Sequence, residues 1–289
     1  MSGYWRPSPP PNRRLLRKLA RAAIAEDLGH GDITTNAVIP AGRKARAIII
    51  ARNPGVIAGM PLAREVLGIL DHGSRIHAMV HEGNTARRGQ RVAEIHGELR
   101  AILTGERVLL NFLSQLSGIA TLTRAFVRRA GRHSVSMLDT RKTTPLLRAV
   151  EKYAVRIGGA LNHRLTLSDA VLIKDNHIEA AGSVARAVRL VRKRLGHRQT
   201  MIQVEAQSLG QVREALAARV NAIMLDNMGA AEMKRALKLA RGKAKVEISG
   251  GVTLATVEKY ARLKPDYISS GALTHSAPAL DFSLEILKK

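Results

Sequence analysis

The sequence predicts an α/β protein whose second part is a barrel of parallel strands. In that part short apolar runs recur, each ending in a polar or glycine-rich tip and each followed by helical material. The tips Lys174, Glu205, Asp226, Ser249 and Ser270 are 31, 21, 23 and 21 residues apart, which is the period of successive β/α units. Five or six such units in a row favour a barrel over an open doubly wound sheet.

Residues 1–115 indicate a separate α+β domain. Behind a Pro-rich head, which we expect to be frayed, Leu15, Leu19, Ala22 and Ala23 have helical spacing and predict a surface helix. Strand-like and helical runs then alternate through residues 44–51, 55–59, 64–70 and 91–97. This pattern fits either a lipoyl-like domain or a sandwich, and periodicity does not choose between them.

The predicted boundary lies in a long helical stretch, Thr104 to Ala130. We expect a first domain over residues 1–115 and the barrel over residues 116–274. The segment 275–289 contains LDFSLEILKK, which is predicted to be a helix that packs back on the first domain.

Composition narrows the possible chemistry. The chain has 289 residues and no cysteine, which excludes disulfides, zinc–thiolate sites, iron–sulfur clusters and thiol nucleophiles. No apolar run approaches the ~18–20 residues of a membrane span, so we expect a cytoplasmic protein without a membrane partner. Catalysis must therefore use Lys, Arg, His, carboxylates, hydroxyls, backbone amides or a hard metal.

The net charge of +24 suggests a polyanionic partner. Aromatic residues are only 3% of the chain, so platforms for base stacking are scarce and nucleic acid is not an expected partner. The densest basic run, residues 186–198, alternates with apolar residues as in a helix with a charged outer face. We interpret this run as a solvated face, with a polyanion site as the alternative.

The polar residues at the strand tips sort by charge. The earlier tips carry Arg141, Lys142, His163, Arg164 and Lys174, a density of cations that requires an anionic substrate. The later tips carry the carboxylates of Glu205 and Asp226, followed by two turns, Ser249-Gly250-Gly251 and Ser270-Gly271-Ala272. Glycine-rich turns before helices bind phosphate groups, and two carboxylates facing a phosphate suggest Mg²⁺.

Each feature has an ordinary structural alternative. A single Ser-Gly-Gly sequence is often only a turn, and Asp226 could be a helix N-cap. His163 could be a satisfied core histidine, and Lys174 could pair with Asp175 at the surface. Their joint placement on successive strand ends favours a barrel enzyme that acts on a phosphorylated, multiply anionic substrate with Mg²⁺.

Nine motifs resemble the quinolinate phosphoribosyltransferase family, and they extend over most of the chain. They are EDLGHGDITT (26–35), TGERVLLNFLSQLSGIAT (104–121), LDTRKTTP (138–145), EKYAVRIGG (151–159), NHR (162–164), LIKDNH (172–177), IMLDNM (223–228), EISGGV (247–252) and SGALTHS (270–276). The resemblance implies an N-terminal α/β sandwich domain, an open barrel of about seven strands, and at least a dimer, with a hexamer left open.

The implied activity is phosphoribosyl transfer from phosphoribosyl pyrophosphate to quinolinate with decarboxylation, in de novo NAD synthesis. The products are nicotinate mononucleotide, pyrophosphate and CO₂. By motif, the contacts to quinolinate and pyrophosphate are Arg107, Thr140, Arg141, Lys142, His163, Arg164 and Lys174. Glu205 and Asp226 correspond to the ribose and the Mg²⁺–pyrophosphate, where the ion is held through pyrophosphate or water. Residues 249–251 and 270–272 correspond to the cradle of the 5′-phosphate, and Lys142, Lys174, Glu205 and Asp226 to the catalytic residues.

The resemblance further implies that Arg107 reaches the active site of a neighbouring subunit. Three positions depart from the family pattern: Leu146 and Ala160 replace glycines, and Gln203 replaces an acidic residue. Two other functions stay open, namely a related pyrophosphorylase with another acceptor, as in proteins associated with molybdate transport, and a retired barrel that binds RNA or acidic partners.

Overall fold

The computed structural model describes residues 8–287, which form two compact units. The expected frayed head falls largely on residues 1–7, which lie outside the described residues, as do residues 288–289 of the predicted C-terminal segment. We call residues 9–124, 149–159 and 277–287 the antiparallel-sheet unit. We call residue 8 with residues 125–148 and 160–276 the parallel-sheet unit.

Helices and strands alternate along the chain, with one long helix near its middle. The helices are α1 Arg13–Leu28, α2 Ile33–Val38, α3 Met60–Leu70, α4 Leu99–Gly131, α5 Arg148–Gly158, α6 Asp175–Ala181, α7 Val184–Leu195, α8 Leu209–Ala217, α9 Ala230–Ala240, α10 Val257–Ala261 and α11 Ala272–His275. The strands are β1 Lys44–Ala51, β2 Gly55–Val56, β3 Arg75–Ala78, β4 Thr85–Ala86, β5 Arg91–Glu98, β6 Ser136–Leu138, β7 Val171–Ile173, β8 Ile202–Ala206, β9 Ala222–Asp226, β10 Lys245–Ser249, β11 Tyr267–Ser269 and β12 Phe282–Ile286. The described helices include none that is both long and apolar enough to cross a lipid bilayer.

The antiparallel-sheet unit is built on a four-stranded sheet in the order β12-β1-β5-β3, with a two-stranded sheet of β2 and β4 beside it in the chain. The central strand β1 pairs with β5 on one edge and with β12 on the other, so that Ile49 lies opposite Ala93 and Leu284. Ile49 and Ile95 are fully buried, and the apolar face of the sheet supplies much of the core.

The predicted C-terminal helix is wrong, because residues 282–286 form the strand β12. The apolar residues of LDFSLEILKK have a spacing that fits one face of a helix, which is why the sequence favoured one. In the fold β1 offers an open edge, and five consecutive residues from Ala47 to Ala51 pair with β12. Backbone pairing to an available edge outweighs the local helical pattern.

The first helix is confirmed, and its buried residues are not the ones whose spacing predicted it. Leu16, Ala20 and Ile24 are buried, whereas the predicted Leu15 and Leu19 are only partly covered. Both sets are apolar and spaced four residues apart, so periodicity alone could not separate them. Asn12 caps the helix by accepting a hydrogen bond from the Leu15 N–H at 2.9 Å.

The parallel-sheet unit contains six parallel strands in the order β6-β11-β10-β9-β8-β7. A single parallel bridge joins Leu138 of β6 to Leu161, so the chain continues the sheet beyond β6. Along β8, β9 and β10 most residues are buried, as expected for parallel strands covered on both faces. The predicted α/β fold, with parallel strands in the second part of the chain and a separate first domain, is confirmed; the parallel sheet has six strands and this bridge, where about seven strands were expected.

The predicted tips lie where the strands end. Asp226 and Ser249 are the last residues of β9 and β10, and Glu205 is the penultimate residue of β8. Lys174 follows β7 directly, and Ser270 follows β11. Because these strands are parallel, their carboxyl ends lie at one edge of the sheet, and the polar tips are brought together there.

Candidate active site

A cavity of about 840 Å³ opens at the carboxyl ends of the parallel strands. Every residue that the sequence predicted for the site lines it, with the exception of Arg107. Arg107 is an exposed residue of α4 and belongs to the antiparallel-sheet unit. The volume is in the usual range of small-molecule sites.

The loop after β6 presents Lys142 with its backbone fixed on both sides. The Lys142 N–H donates to Thr140 Oγ1 at 3.0 Å, and its carbonyl accepts a hydrogen bond from Thr274 Oγ1 at 2.7 Å. Its side chain is exposed to the cavity. Arg141 Nε is buried and has no hydrogen-bond partner among the described residues, so it is available to a ligand.

Asp139, the residue just after β6, connects this loop to the segment that bears His163. The Asp139 carboxylate is fully buried and accepts from Asn162 Nδ2 at 2.6 Å and from the His163 N–H at 2.8 Å. Sequence reasoning missed Asp139, although it precedes the Thr140-Arg141-Lys142 block. An acidic residue at the end of an apolar strand is the signal that could have found it.

His163 and Arg164 are buried in the cavity wall, with 5% and 7% of their surfaces exposed. The Arg164 N–H donates to His163 Nδ1 at 3.0 Å, which assigns the ring proton of the neutral imidazole to Nε2. His163 Nε2 lies 3.8 Å from Glu247 Oε2. Arg164 Nη1 donates to the Ala170 carbonyl at 3.0 Å, which holds the guanidinium in place.

Glu247 lies beneath the cavity in β10 and was not predicted as part of the site. It is fully buried and accepts a hydrogen bond from Gln203 Nε2 at 2.8 Å. Burial raises the pKa of the Glu247 carboxyl to about 7, against the opposing hydrogen bond from Gln203. Gln203, one of the departures from the family pattern, is thus the amide partner of a buried acid.

Glu205 and Asp226 form a pair of carboxylates opposite Lys174. Partial burial raises the pKa of the Glu205 carboxyl, the negative charge of Asp226 raises it further, and Lys174 opposes both. Asp226 is not a helix N-cap, because α9 begins after Gly229 and the Asp226 carboxylate accepts from Asn227 Nδ2 at 3.1 Å. The predicted alternative for Asp226 is therefore wrong.

The two glycine-rich turns come close to neighbouring groups. Gly250 has φ +90°, and a Cβ atom there would lie 2.9 Å from the backbone nitrogen of Asn227. A Cβ on Gly271 would lie 2.9 Å from Lys142 Cδ and from His275 Nε2. Ser270 Oγ donates to the Val252 carbonyl at 2.7 Å, which connects the second turn to the end of the first. At Gly250 glycine is required, because the backbone of Asn227 leaves no room for a Cβ atom, whereas the atoms beside Gly271 belong to side chains that can move.

The described residues contain no cluster of three or more His, Cys, Asp or Glu side chains that could hold a metal ion by themselves. A divalent cation at this cavity therefore needs oxygen ligands from a substrate in addition to Glu205 and Asp226. Mg²⁺ commonly binds in this way, with one or two carboxylates, substrate phosphates and water. The carboxylate pair fits such an ion, because the negative charge of Asp226 raises the pKa of the Glu205 carboxyl and a bound cation would oppose that effect.

Fold and cavity together define a barrel enzyme for a polyanionic, phosphate-bearing substrate. The family model of the quinolinate phosphoribosyl transferase C-terminal domain matches residues 119–285, and the model of the N-terminal domain matches residues 32–117. The chain belongs to the quinolinate phosphoribosyltransferase family.

Relatives of similar length support this membership. The chain is 44% identical to a probable nicotinate-nucleotide pyrophosphorylase (carboxylating) of Synechocystis sp. over 92% of its length and 90% of the relative. It is 40% identical to the protein of the same name from Bacillus subtilis, over 95% and 94% of the two chains. The crystal structure of NadC from Streptococcus pyogenes has a TM-score of 0.92 and 41% identity over 97% of this chain and 100% of that one.

Proposed function

We propose that this chain transfers the phosphoribosyl group of phosphoribosyl pyrophosphate to quinolinate and decarboxylates the product. Nicotinate mononucleotide, pyrophosphate and CO₂ result, a reaction of de novo NAD biosynthesis. The observation that carries the proposal is the content of one cavity: the four cationic side chains of Arg141, Lys142, Arg164 and Lys174, two adjacent carboxylates and two glycine-rich turns. The relatives named for this activity support the same conclusion.

The cations suit the charges of the two substrates. Quinolinate is a planar dicarboxylate, and the guanidinium groups of Arg141 and Arg164 match it by paired hydrogen bonds. Arg141 Nε is unpaired among the described residues and Arg164 is held by the Ala170 carbonyl, so little reorganisation is needed on binding. We assign Lys142 and Lys174, both exposed to the cavity, to the charge that develops on departing pyrophosphate.

The bonding changes follow from the substrates. The bond between the ribose carbon and pyrophosphate breaks, and the pyridine nitrogen of quinolinate bonds to that carbon through an oxocarbenium-like transition state. The positive charge on the quaternised ring nitrogen then stabilises the carbanion that is left on the adjacent ring carbon when its carboxylate departs as CO₂, and a proton bonds to that carbon. The substrate is its own electron sink, so the work of the protein is to orient it.

We propose that Mg²⁺ is required and that Glu205 and Asp226 hold it through pyrophosphate oxygens or water. When bound, the ion would neutralise charge on the leaving pyrophosphate. The support is the proximity of the two carboxylates and the Lys174 side chain that opposes the raised pKa of Glu205. In Glu205→Gln and Asp226→Asn, the KM for phosphoribosyl pyrophosphate should rise at least ~10-fold while quinolinate binding changes little. Normal use of the donor by both variants would contradict this role.

We propose that Arg107 completes the active site of a second copy of the chain in a homodimer. Arg107 lies on the long helix α4 and does not line the cavity of the parallel-sheet unit, which is the observation behind the proposal. Mixing inactive Arg107→Ala with inactive Lys174→Ala should restore roughly a quarter of wild-type activity after random exchange of subunits. About half of the dimers are then mixed, with one good site in two. If activity does not recover although subunit exchange has been demonstrated, Arg107 acts in the active site of its own chain.

The proposed reaction is tested by a direct assay of its product. Purified protein with quinolinate, phosphoribosyl pyrophosphate and Mg²⁺ should form nicotinate mononucleotide, and nicotinate or other pyridine acids should be poor acceptors. Preference for another acceptor would support the related pyrophosphorylase instead. Salt-sensitive RNA binding without turnover would support the retired barrel. The cytoplasmic location stays a prediction from the sequence.

A further inference from the structure

A second cavity lies at the amino ends of the same parallel strands. Its volume is about 670 Å³, and its charged lining comprises Lys238, Arg241, Lys243, Lys245, Lys264 and Asp266. We call it the rim cleft. Lys245 begins β10 and Ser249 ends it, so roughly 13 Å of strand separates the rim cleft from the candidate active site.

Most cations of the rim cleft have no counter-charge. Asp266 is its single carboxylate, and this group accepts hydrogen bonds from Lys245 Nζ at 2.6 Å and from the Val246 N–H at 2.9 Å. Among the described residues Lys238, Arg241, Lys243 and Lys264 have no ion-pair partner. Four uncompensated positive charges around one concavity raise the local potential and favour an anion of more than one charge.

The floor of the rim cleft is apolar. Val246 is buried, and Leu237 and Leu263 are partly covered and face the same cavity. An apolar floor under a cationic rim suits a ligand with a flat or apolar part and a charged part. The volume lies in the range of sites for small molecules of nucleotide size.

We propose that the rim cleft binds a phosphorylated small molecule with at least two adjacent phosphates and a flat ring system, such as a nucleoside diphosphate. The basic helix α7 differs from the cleft, because none of its residues lines the cavity and Arg192 already donates to the Arg219 carbonyl at 2.9 Å. The proposal is independent of the reaction proposed above.

The test uses ADP as the probe, at ~150 mM salt so that diffuse charge attraction is screened. Calorimetry should give saturable binding of ADP, with AMP at least ~10-fold weaker because one phosphate contact is lost. The double variant Lys238→Ala/Lys243→Ala should bind ADP at least ~10-fold more weakly. The matched control Arg186→Ala/Arg189→Ala, which removes the same charge from α7, should bind within ~2-fold of wild type.

Four outcomes would overturn the proposal. They are absence of saturable ADP binding, equal losses in the cleft variant and the α7 control, loss of binding in Lys174→Ala instead, and binding of RNA without binding of ADP. The Lys174→Ala arm matters because the active-site cavity is also cationic. Turnover of the cleft variant should stay within ~2-fold of wild type, so failure of this proposal and failure of the proposed reaction are distinguishable.

Discussion

The two ends of the parallel sheet differ in how their charges are balanced. At the carboxyl ends, the cations of the cavity face the carboxylates of Glu205 and Asp226 and two turns that offer backbone N–H groups. At the amino ends, the rim cleft has five cations and one carboxylate, which already serves Lys245. A site with both signs of charge can stabilise charge as it moves between groups, whereas a cleft whose unpaired charges are all positive is suited to binding an anion.

The comparison predicts that lysines at the two ends are not equivalent. Lys142→Ala and Lys174→Ala should each lower turnover at least ~100-fold, because each removes a preorganised charge at the leaving group. Lys243→Ala at the amino ends should leave turnover within ~2-fold. Steady-state kinetics with the fold verified by circular dichroism measures both. Near-normal turnover in Lys142→Ala and Lys174→Ala would mean that the lysines at the two ends of the sheet do not differ in this respect.

Between the two ends, the buried Glu247 predicts a pH-dependent stability. Its pKa of about 7 in the folded chain is above the ordinary 4.5, so the folded state holds a proton that the unfolded state releases. The contribution of this group to stability is therefore fully present below pH 4.5 and is lost as the pH rises to about 7.

Glu247→Gln removes this titration. The free energy of unfolding of the variant, relative to wild type, should rise by about 2 to 3 kcal/mol between pH 5 and pH 8. Denaturant titrations across that range measure it, and Glu232→Gln on the exposed side of α9 is the matched exposed control. A difference independent of pH would mean that Glu247 does not hold a proton in the folded chain.

Two glycines with positive φ allow the cost of a steric contact to be measured apart from the cost of the backbone conformation. Gly250 at the carboxyl ends has Asn227 against it, whereas Gly242 at the amino ends has φ +73° and open space where a Cβ atom would lie. Gly250→Ala should cost about 2 kcal/mol of stability and Gly242→Ala about 1 kcal/mol. Thermal unfolding of both variants measures these losses of stability. Equal losses would mean that the contact with Asn227 relaxes without cost.

The smallest expected effect concerns two non-glycine residues in the left-handed region. Leu146 has φ +68° near the active-site loop and Lys264 has φ +55° at the rim cleft. Leu146→Gly and Lys264→Gly should each stabilise the chain by about 0.5 kcal/mol, since relief of strain exceeds the added entropy of the unfolded state. Equilibrium unfolding measures this, and a destabilised Leu146→Gly would indicate that the exposed leucine makes a contact in an assembly.

The parallel part of the fold could be predicted because its signal is repeated. Five tips at a regular spacing mark the strand ends, and one misjudged tip would not have changed the conclusion. The strand β12 could not be predicted, because five residues with a helical pattern are held by an edge of β1 more than 230 residues away in the chain. The buried face of α1 could not be predicted from spacing, because the helix carries two apolar stripes.

The site was predictable where the chemistry requires particular residue types at strand ends. Lys142, Lys174 and the two glycine-rich turns are of this kind, and they line one cavity. Glu247 was missed because an acid within an apolar strand carries no signal of its partner, which is Gln203 on a strand two places away in the sheet. The rim cleft was missed because net charge states how many cations there are and not which of them share a concavity.

The pairing of β12 with β1 also has a consequence for how the chain folds as it is synthesised. The isoleucine-rich strand β1 pairs with β5 as soon as residues 91–98 exist, but its other edge stays open until residues 282–286 have been made. An uncovered, apolar strand edge is a template for pairing with another chain. During translation the second edge of β1 therefore stays unpaired while residues 99–281 are synthesised. Slower synthesis, or removal of residues 282–286, should increase aggregation rather than only weaken the finished sheet.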